Sequence, residues 1–429
     1  MLVSASFVLL MTPGLALFYG GMVRGKSVLN MIMMSFGAMA VVTVVYYLWG
    51  WSMSFNDSSL GGVVGNPFTF FGLRNTITNA GGTYLLDAHG VPKVVGVAFQ
   101  VTFAIITTAL ISGAIADRVK YGSWLVFVGI WVTLAYFPMA HMVWGGGLLS
   151  PDGPLSRIAT PIDFAGGTVV HINAGAAALA LALLVGRRKG FGAEAFKPSN
   201  LPVVMLGAAL LWFGWFGFNA GSAFTADGTA GLAWVNTTGA TAAAMLGWLA
   251  VERLRDGHAT SLGAASGVVA GLVAITPAAG AVSPIGSLAL GAVAGGLCAV
   301  AVGLKYRLGF DDSLDVVGVH LVAGLWGTVA IGLLATKTGL LYGGGAAQLV
   351  VQVIIAAVAV VFSLVVTTVV ALAIRATLGW RVPEDVEVTG IDQAEHAESA
   401  YDLAGVAAAG LRSTAGLLAR ATASQEVSA

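Results

Sequence analysis

Charge is the first thing this chain lacks. Only 9% of its 429 residues are Asp, Glu, Lys or Arg, while 57% are hydrophobic. Soluble globular domains do not have that composition; helical proteins that cross a bilayer repeatedly do. The 20 basic and 20 acidic residues cancel, which leaves no basic footprint for nucleic acid. The single cysteine, Cys298, excludes an internal disulfide framework and carries no metal signature, and no cofactor is expected. Carboxylates are also missing from the apolar interior. Every one falls in a link, at the end of an apolar run or in the tail, with Asp163 and Asp315 closest to the rims. That counts against a proton pump or cation channel built on a buried carboxylate.

Long apolar runs and glycine are abundant instead. Runs fall at about 2–22, 28–50, 94–116, 122–143, 164–185, 201–219, 231–251, 261–280, 285–304, 314–335 and 347–374. They predict an all-α polytopic membrane protein with eleven transmembrane helices. Most of the 59 glycines lie inside such runs, which points to closely packed helices rather than flexible linkers. The apolar stretch Leu2 to Leu17 is short for a span, so an upstream start or a lost leader is expected. With the N-terminus outside, every Lys and Arg except Arg74, Lys93, Arg157 and Lys337 faces the cytoplasm. The asymmetry sets an N-out, C-in orientation. The longest external link, about 51–93, reads as a structured outer cap.

Residues 1–380 form the membrane domain and 381–429 a cytoplasmic C-terminal tail. The tail turns acidic after Arg381-Val-Pro383; its Ala- and Leu-rich part, 403–420, reads as a weak surface helix or as disorder. Eleven runs divide into two inverted repeats of five helices, about 1–190 and 200–335, plus one extra helix at 347–374.

The fifth and tenth runs each carry a histidine, His171 and His320. Ionisable groups inside spans are costly and need a reason. On a helix Asp163, Gly167, His171 and Gly175 would recur every four residues along one stripe. The placement of the two histidines in opposed halves predicts that they meet near the midplane. Two neutral imidazoles can share a proton. Such a pair suits a small polar neutral solute such as ammonia far better than a hydrated metal ion. Two hydrogen-bonded core histidines without a transport role are the plainer alternative.

Aromatic residues make the second constellation. Phe99 and Phe103 stand one turn apart, and Trp215, Phe218 and Ser222 share one helix face. Trp144 ends the fourth run. An indole beside a hydroxyl at an outer mouth can hold a small cation by its ring face and one hydrogen bond, a contact of about 0.5–2 kcal/mol. Taken singly, these residues would be read as belt or packing aromatics; in company with two membrane histidines they read as a pore.

Several ordered blocks carry a family resemblance: Met-Thr-Pro-Gly-Leu-Ala-Leu-Phe-Tyr-Gly-Gly (11–21), Ala-His-Met-Val-Trp-Gly-Gly-Gly around Trp144, Asp163 to Ala174, Trp-Phe-Gly-Phe-Asn-Ala-Gly-Ser (215–222) and Asp315 to His320. In this order, from residue 1 to about 402, the chain resembles the ammonium transporter family (Amt/Mep/Rh), bacterial branch. The resemblance implies a homotrimer with one pore per subunit in the cell (inner) membrane, not an enzyme. It assigns Trp144, Ser222, Phe103 and Asp163 to an outer ammonium site, with Asp163 the buried acid that orders it. Phe103 and Phe218 become a stacked gate, and His171, His320 and Trp215 line the pore. It also implies a trimeric PII-type signalling protein at the cytoplasmic face. Two departures stand out: the first span lacks the family's extracellular lead-in, and the tail runs on past Asp402. Alternatives are a membrane ammonium sensor, an Rh-type neutral gas channel, and a polytopic enzyme, which fails because no nucleophile lies beside either histidine.

Overall fold

The computed structural model describes residues 1–401; the stretch 403–420, with Arg412 and Arg420, lies outside the described residues. Eleven helical rods follow one another: α1 (Leu2–Met22), α2 (Val28–Phe55), α3 (Lys93–Ile115), α4 (Tyr121–Trp144), α5 (Gly167–Val185), α6 (Leu201–Gly221), α7 (Gly228–Asp256), α8 (Ser261–Ile275), α9 (Pro284–Leu308), α10 (Val317–Leu334) and α11 (Ala347–Thr377). Among the described residues, nine are long and apolar enough to cross a membrane. The other two stand where the seventh and eighth runs lie. α7 has the length, 29 residues, but Asn236, Thr237, Thr241 and Glu252 on its buried side dilute its hydropathy. α8 stops at Ile275, five residues before its apolar run ends, because Pro277 supplies no backbone donor to continue it. α1 continues through Met22, so the first run is 21 residues long and not short.

Small residues let the rods approach. Along α1 and α6, the space a Cβ would fill at Gly217 lies 2.6 Å from the Ser4 carbonyl oxygen, and at Gly214 an equal 2.6 Å from that of Phe7. α9 meets α7 the same way, Gly291 and Gly295 resting on the carbonyls of Ala240 and Ala244. In a bilayer, where lipid is as apolar as leucine, such backbone proximity is a main source of helix association.

Four π-helical turns interrupt the rods, at Tyr46–Gly50, Val132–Tyr136, Gly167–Ile172 and Val317–Leu321. The second precedes Pro138, whose missing N–H leaves the turn before it free to widen. The last two open α5 and α10, and each holds its histidine as the penultimate residue. Both helices lie toward the interior, with α3 and α4: 83% of the apolar window of α5 and 67% of that of α10 are buried, against 33% for the peripheral α11.

The link 56–92 folds as an outer cap with a two-stranded antiparallel ribbon, Ser59–Leu60 paired with Val64–Gly65. Buried His141 pins it: Nε2 lies 2.8 Å from Ser59 Oγ, and Nδ1 3.3 Å from the Ser54 carbonyl. The opposite end is closed by ions. Asp117 receives Arg24 at 3.1 Å and Arg188 at 3.3 Å, and Arg188 also binds Asp311 at 2.9 Å. Arg118, fully buried, donates to the carbonyls of Ala114, Ala116, Gly186 and Asp311. Burial pulls its guanidinium down to about 10, so it stays charged at neutral pH.

The start of the tail is part of the fold. Val382 donates to the Arg118 carbonyl at 3.1 Å. On the short helix α12 (Glu384–Thr389), buried Glu387 accepts the Lys189 N–H and pairs with Arg381. On α13 (Ile391–His396), buried Asp392 caps α2 by accepting the N–H groups of Leu29 at 3.0 Å and Asn30 at 2.8 Å. His396 lies 3.0 Å from Asn30 Oδ1.

Candidate functional site

The two histidines meet. His171 and His320 stand Nδ1 to Nδ1 at 3.3 Å, rings 5.4 Å apart and 23° from parallel, both buried. One Nδ1 must carry the proton that the other accepts, so one imidazole exposes a bare Nε2 and the other an Nε2–H. The His171 Nε2 has no partner among the described residues. A glycine four residues beyond each histidine makes the meeting possible. A Cβ at Gly175 would lie 2.5 Å from the Leu321 backbone N, and one at Gly324 would lie 3.1 Å from the His171 Cβ and 3.2 Å from the Ile172 N. Each helix thus accommodates the residue that follows the other's histidine.

Each histidine helix is also opened by an aspartate eight residues before the imidazole. The Asp163 carboxylate accepts N–H from Gly166 at 2.8 Å, Gly167 at 2.6 Å and Thr168 at 2.9 Å, and the Thr168 hydroxyl as well. Asp163 therefore precedes α5 as its cap and does not continue the helical stripe with Gly167 and His171. It is half-buried, not buried. It touches the outer site through its backbone, since Trp144 Nε1 donates to the Asp163 carbonyl at 2.9 Å. In α10 the corresponding residue is Asp312, accepting from Val316 at 3.0 Å and Val317 at 2.7 Å. Sequence reading favoured Asp315 for this place. Asp315 instead occupies the position of Gly166, both with positive φ (63° and 118°), and pairs with Lys305 at 2.6 Å.

On the outer side of the histidines the aromatic residues form a column. Trp215 stacks on His171 at 5.4 Å and is fixed by its Nε1–H to Thr276 Oγ1 at 2.8 Å. Phe218 follows at 6.3 Å from His171, and Phe103 lies on Phe218 with centroids 4.0 Å apart. Trp144 stands edge to face with Phe103 at 6.0 Å. Beyond them opens a cavity of about 650 Å³, lined by Trp144, Ser222, Gln100 and Phe224. The Ser222 hydroxyl donates back to the Phe218 carbonyl at 2.8 Å, which leaves its oxygen lone pairs free to accept. On the inner side of His320 the crevice between Tyr19, Leu314, Asp315 and Val319 measures about 10 Å³, at the lower limit for a single water.

Sequence reasoning missed Thr276, Phe224 and Asp312. Thr276 and Phe224 lie at or beyond helix ends, where periodicity gives no signal. Asp312 was legible, because its spacing to His320 equals that of Asp163 to His171. Gln100 lines the outer cavity, and its buried Oε1 has no partner among the described residues.

A wide vestibule, a closed aromatic stack, a paired imidazole and a narrow crevice lie in one bundle of apolar helices, that of a multi-pass membrane protein. The chain belongs to the ammonium transporter family, whose profile matches residues 1–401. An ammonium transporter of Mycobacterium tuberculosis (strain H37Rv) is 57% identical, over 94% of this chain and 90% of that protein. Among solved structures, Mep2 of Saccharomyces cerevisiae superposes with a TM-score of 0.80 at 32% identity, covering 89% of this chain and 86% of that one. A sensor Amt protein superposes with a TM-score of 0.83 at 28% identity, covering 92% and 96%.

Proposed function

We propose that this multi-pass membrane protein transports ammonium across the cell (inner) membrane by recruiting the cation outside and conducting ammonia through the histidine pair. Ammonium transport follows from family membership; the route is our reading of the geometry. The observation that carries it is the Nδ1–Nδ1 contact of 3.3 Å between His171 and His320, directly beneath the Phe103–Phe218 stack.

In this reading ammonium rests against the ring faces of Trp144 and Phe103 and donates one hydrogen bond to the Ser222 hydroxyl. Asp163 contributes by fixing the Trp144 indole and the start of α5. A bare ion cannot follow the aromatic column, because transferring it to an apolar medium costs tens of kcal/mol by the Born estimate, far above about 0.5–2 kcal/mol from one cation–π contact. Ammonium therefore gives up a proton, and ammonia passes when the Phe103 and Phe218 rings part. At the histidines ammonia meets one bare nitrogen and one N–H. Uptake of the ammonium's proton at the bare Nε2, passage of the shared proton from one Nδ1 to the other and release of the far Nε2–H proton together exchange those roles, which gives the pair a means to relay the separated proton. Potassium has no proton to shed and is excluded.

We extend the reading to architecture: eleven spans, N-out and C-in, as two inverted halves of five and one further helix. The equal Asp-to-His spacing and the reciprocal Gly175 and Gly324 contacts support it. Family resemblance supports a homotrimer and a PII-type partner at the cytoplasmic face, both testable by native mass spectrometry.

The test is solid-supported membrane electrophysiology on purified protein in liposomes, with ammonium pulses against potassium pulses. An ammonium-specific current is expected. No current, with ammonia-driven alkalinisation of the lumen, would replace relay by a neutral gas channel. Silence in both would overturn the proposal.

A further inference from the structure

The outer vestibule carries side chains that neither the recruitment site nor the pore uses. His89, exposed at the turn after Leu86, lays its ring on Phe224 with centroids 5.6 Å apart and planes 20° from parallel. Phe224 meets Phe99 edge to face at 5.6 Å, and Phe99 meets Phe103 at 4.8 Å. His89 is therefore the solvent end of an aromatic row whose inner end is the gate. Phe224 holds its place with φ at +57°, a conformation that is costly for a bulky side chain and persists only where neighbours enforce it.

His89 and Phe224 line the same cavity as Trp144 and Ser222. The charged groups lining it are Asp57 from the outer cap, Asp87 and Lys93 flanking His89 in sequence, and Asp152 from the α4–α5 link. Asp87 Oδ1 accepts the N–H groups of His89 and Val91, each at 2.9 Å. Asp227, three residues past Phe224, caps α7 through Thr229 and Ala230, and His141 is buried behind the cap on Ser59. Three carboxylates against one ammonium give the vestibule a charge of −2 when His89 is neutral and −1 when it is protonated.

We propose that His89 sets the affinity of the outer vestibule for cations. Imidazole changes charge between about pH 5 and 8. Protonated, His89 occupies the face of Phe224 as a cation–π partner and halves the field that draws cations toward Trp144. Neutral, it leaves the field intact and serves as an aromatic wall. The inference rests on the recruitment reading above.

The experiment measures the half-saturating ammonium concentration of transport currents at pH 5.5 and 7.5 for the wild type, His89→Phe and His89→Arg. A unit charge lining the same water-filled mouth changes affinity by up to about threefold, the limit for a separation of ~6 Å in water. The wild type is expected to need more ammonium at pH 5.5 than at 7.5, by up to about threefold. His89→Phe keeps the stack without the charge and stays at the low value throughout; His89→Arg keeps the charge and stays at the high one. Equal pH ratios in the wild type and His89→Phe would overturn the proposal while the recruitment reading stands. Absence of any ammonium-selective current in the wild type would overturn both.

Discussion

The beginnings of α5 and α10 are the same device in different surroundings. Each has an aspartate cap, a residue at positive φ, a π-helical turn with a histidine as its penultimate residue, and a glycine that receives the opposite helix. The outer copy opens on a vestibule of about 650 Å³, and its carboxylate is spent on four amides and a hydroxyl, with no cation beside it among the described residues. The inner copy opens on a crevice of about 10 Å³ whose Asp315 already holds the Lys305 ammonium at 2.6 Å. Geometry is duplicated, then, while electrostatics is not. The outer end can attract a cation; the inner end has its own, so an arriving cation finds that carboxylate neutralised.

The largest effect should come from removing what both copies share. Replacing His171 and His320 together by alanine is expected to lower ammonium-over-potassium selectivity about a hundredfold, equivalent to ~2.8 kcal/mol, in the current assay. Unchanged selectivity would mean that the aromatic column alone discriminates. Next, the caps should differ. Asp163→Ala orphans more donors than Asp312→Ala, so it should cost about 2 kcal/mol of stability against about 1, read from thermal unfolding in detergent. Equal losses would show that the two caps are energetically interchangeable. The glycines sharpen the comparison further. Gly175→Ala, with a Cβ 2.5 Å from a backbone nitrogen, should cost about 1–3 kcal/mol, and Gly324→Ala, at 3.1 Å from a side-chain carbon, less. The reverse order would place the tight contact on the other helix.

The smallest effect is one of pH. Burial pushes the Asp312 carboxyl up to about 6, with the Lys305 charge opposing. The folded protein then binds a proton more tightly than the unfolded chain, so this group's contribution to stability is present at low pH and declines as pH rises from about 4 through 6. Asp312→Asn should flatten that part of a stability–pH curve measured by thermal unfolding in detergent.

The histidine pair was legible because an imidazole in an apolar run has few explanations, and because the expected division into opposed halves puts the two at equivalent positions. The stacked column was legible from Trp215, Phe218 and Ser222 on one helix face. What could not be read were contacts made outside regular periodicity. Asp163 resembled a stripe residue because its spacing is helical, yet the helix begins only at Gly167. The ion cluster of Asp117, Arg118, Arg188 and Asp311 looked like ordinary charged links, since nothing in a single sequence says that loop charges are folded inward. α8 was drawn too long because hydropathy does not register the donor that Pro277 lacks.

The Asp392 cap on α2 has a consequence in time as well as in space. The amides of Leu29 and Asn30 are among the first parts of the chain to be synthesised, and their partner is among the last of the described residues. Until the chain has been translated past residue 392, the second helix stands with its opening amides uncapped. A chain cut short before that point carries an unfinished beginning, with two amides of the second helix left without their carboxylate.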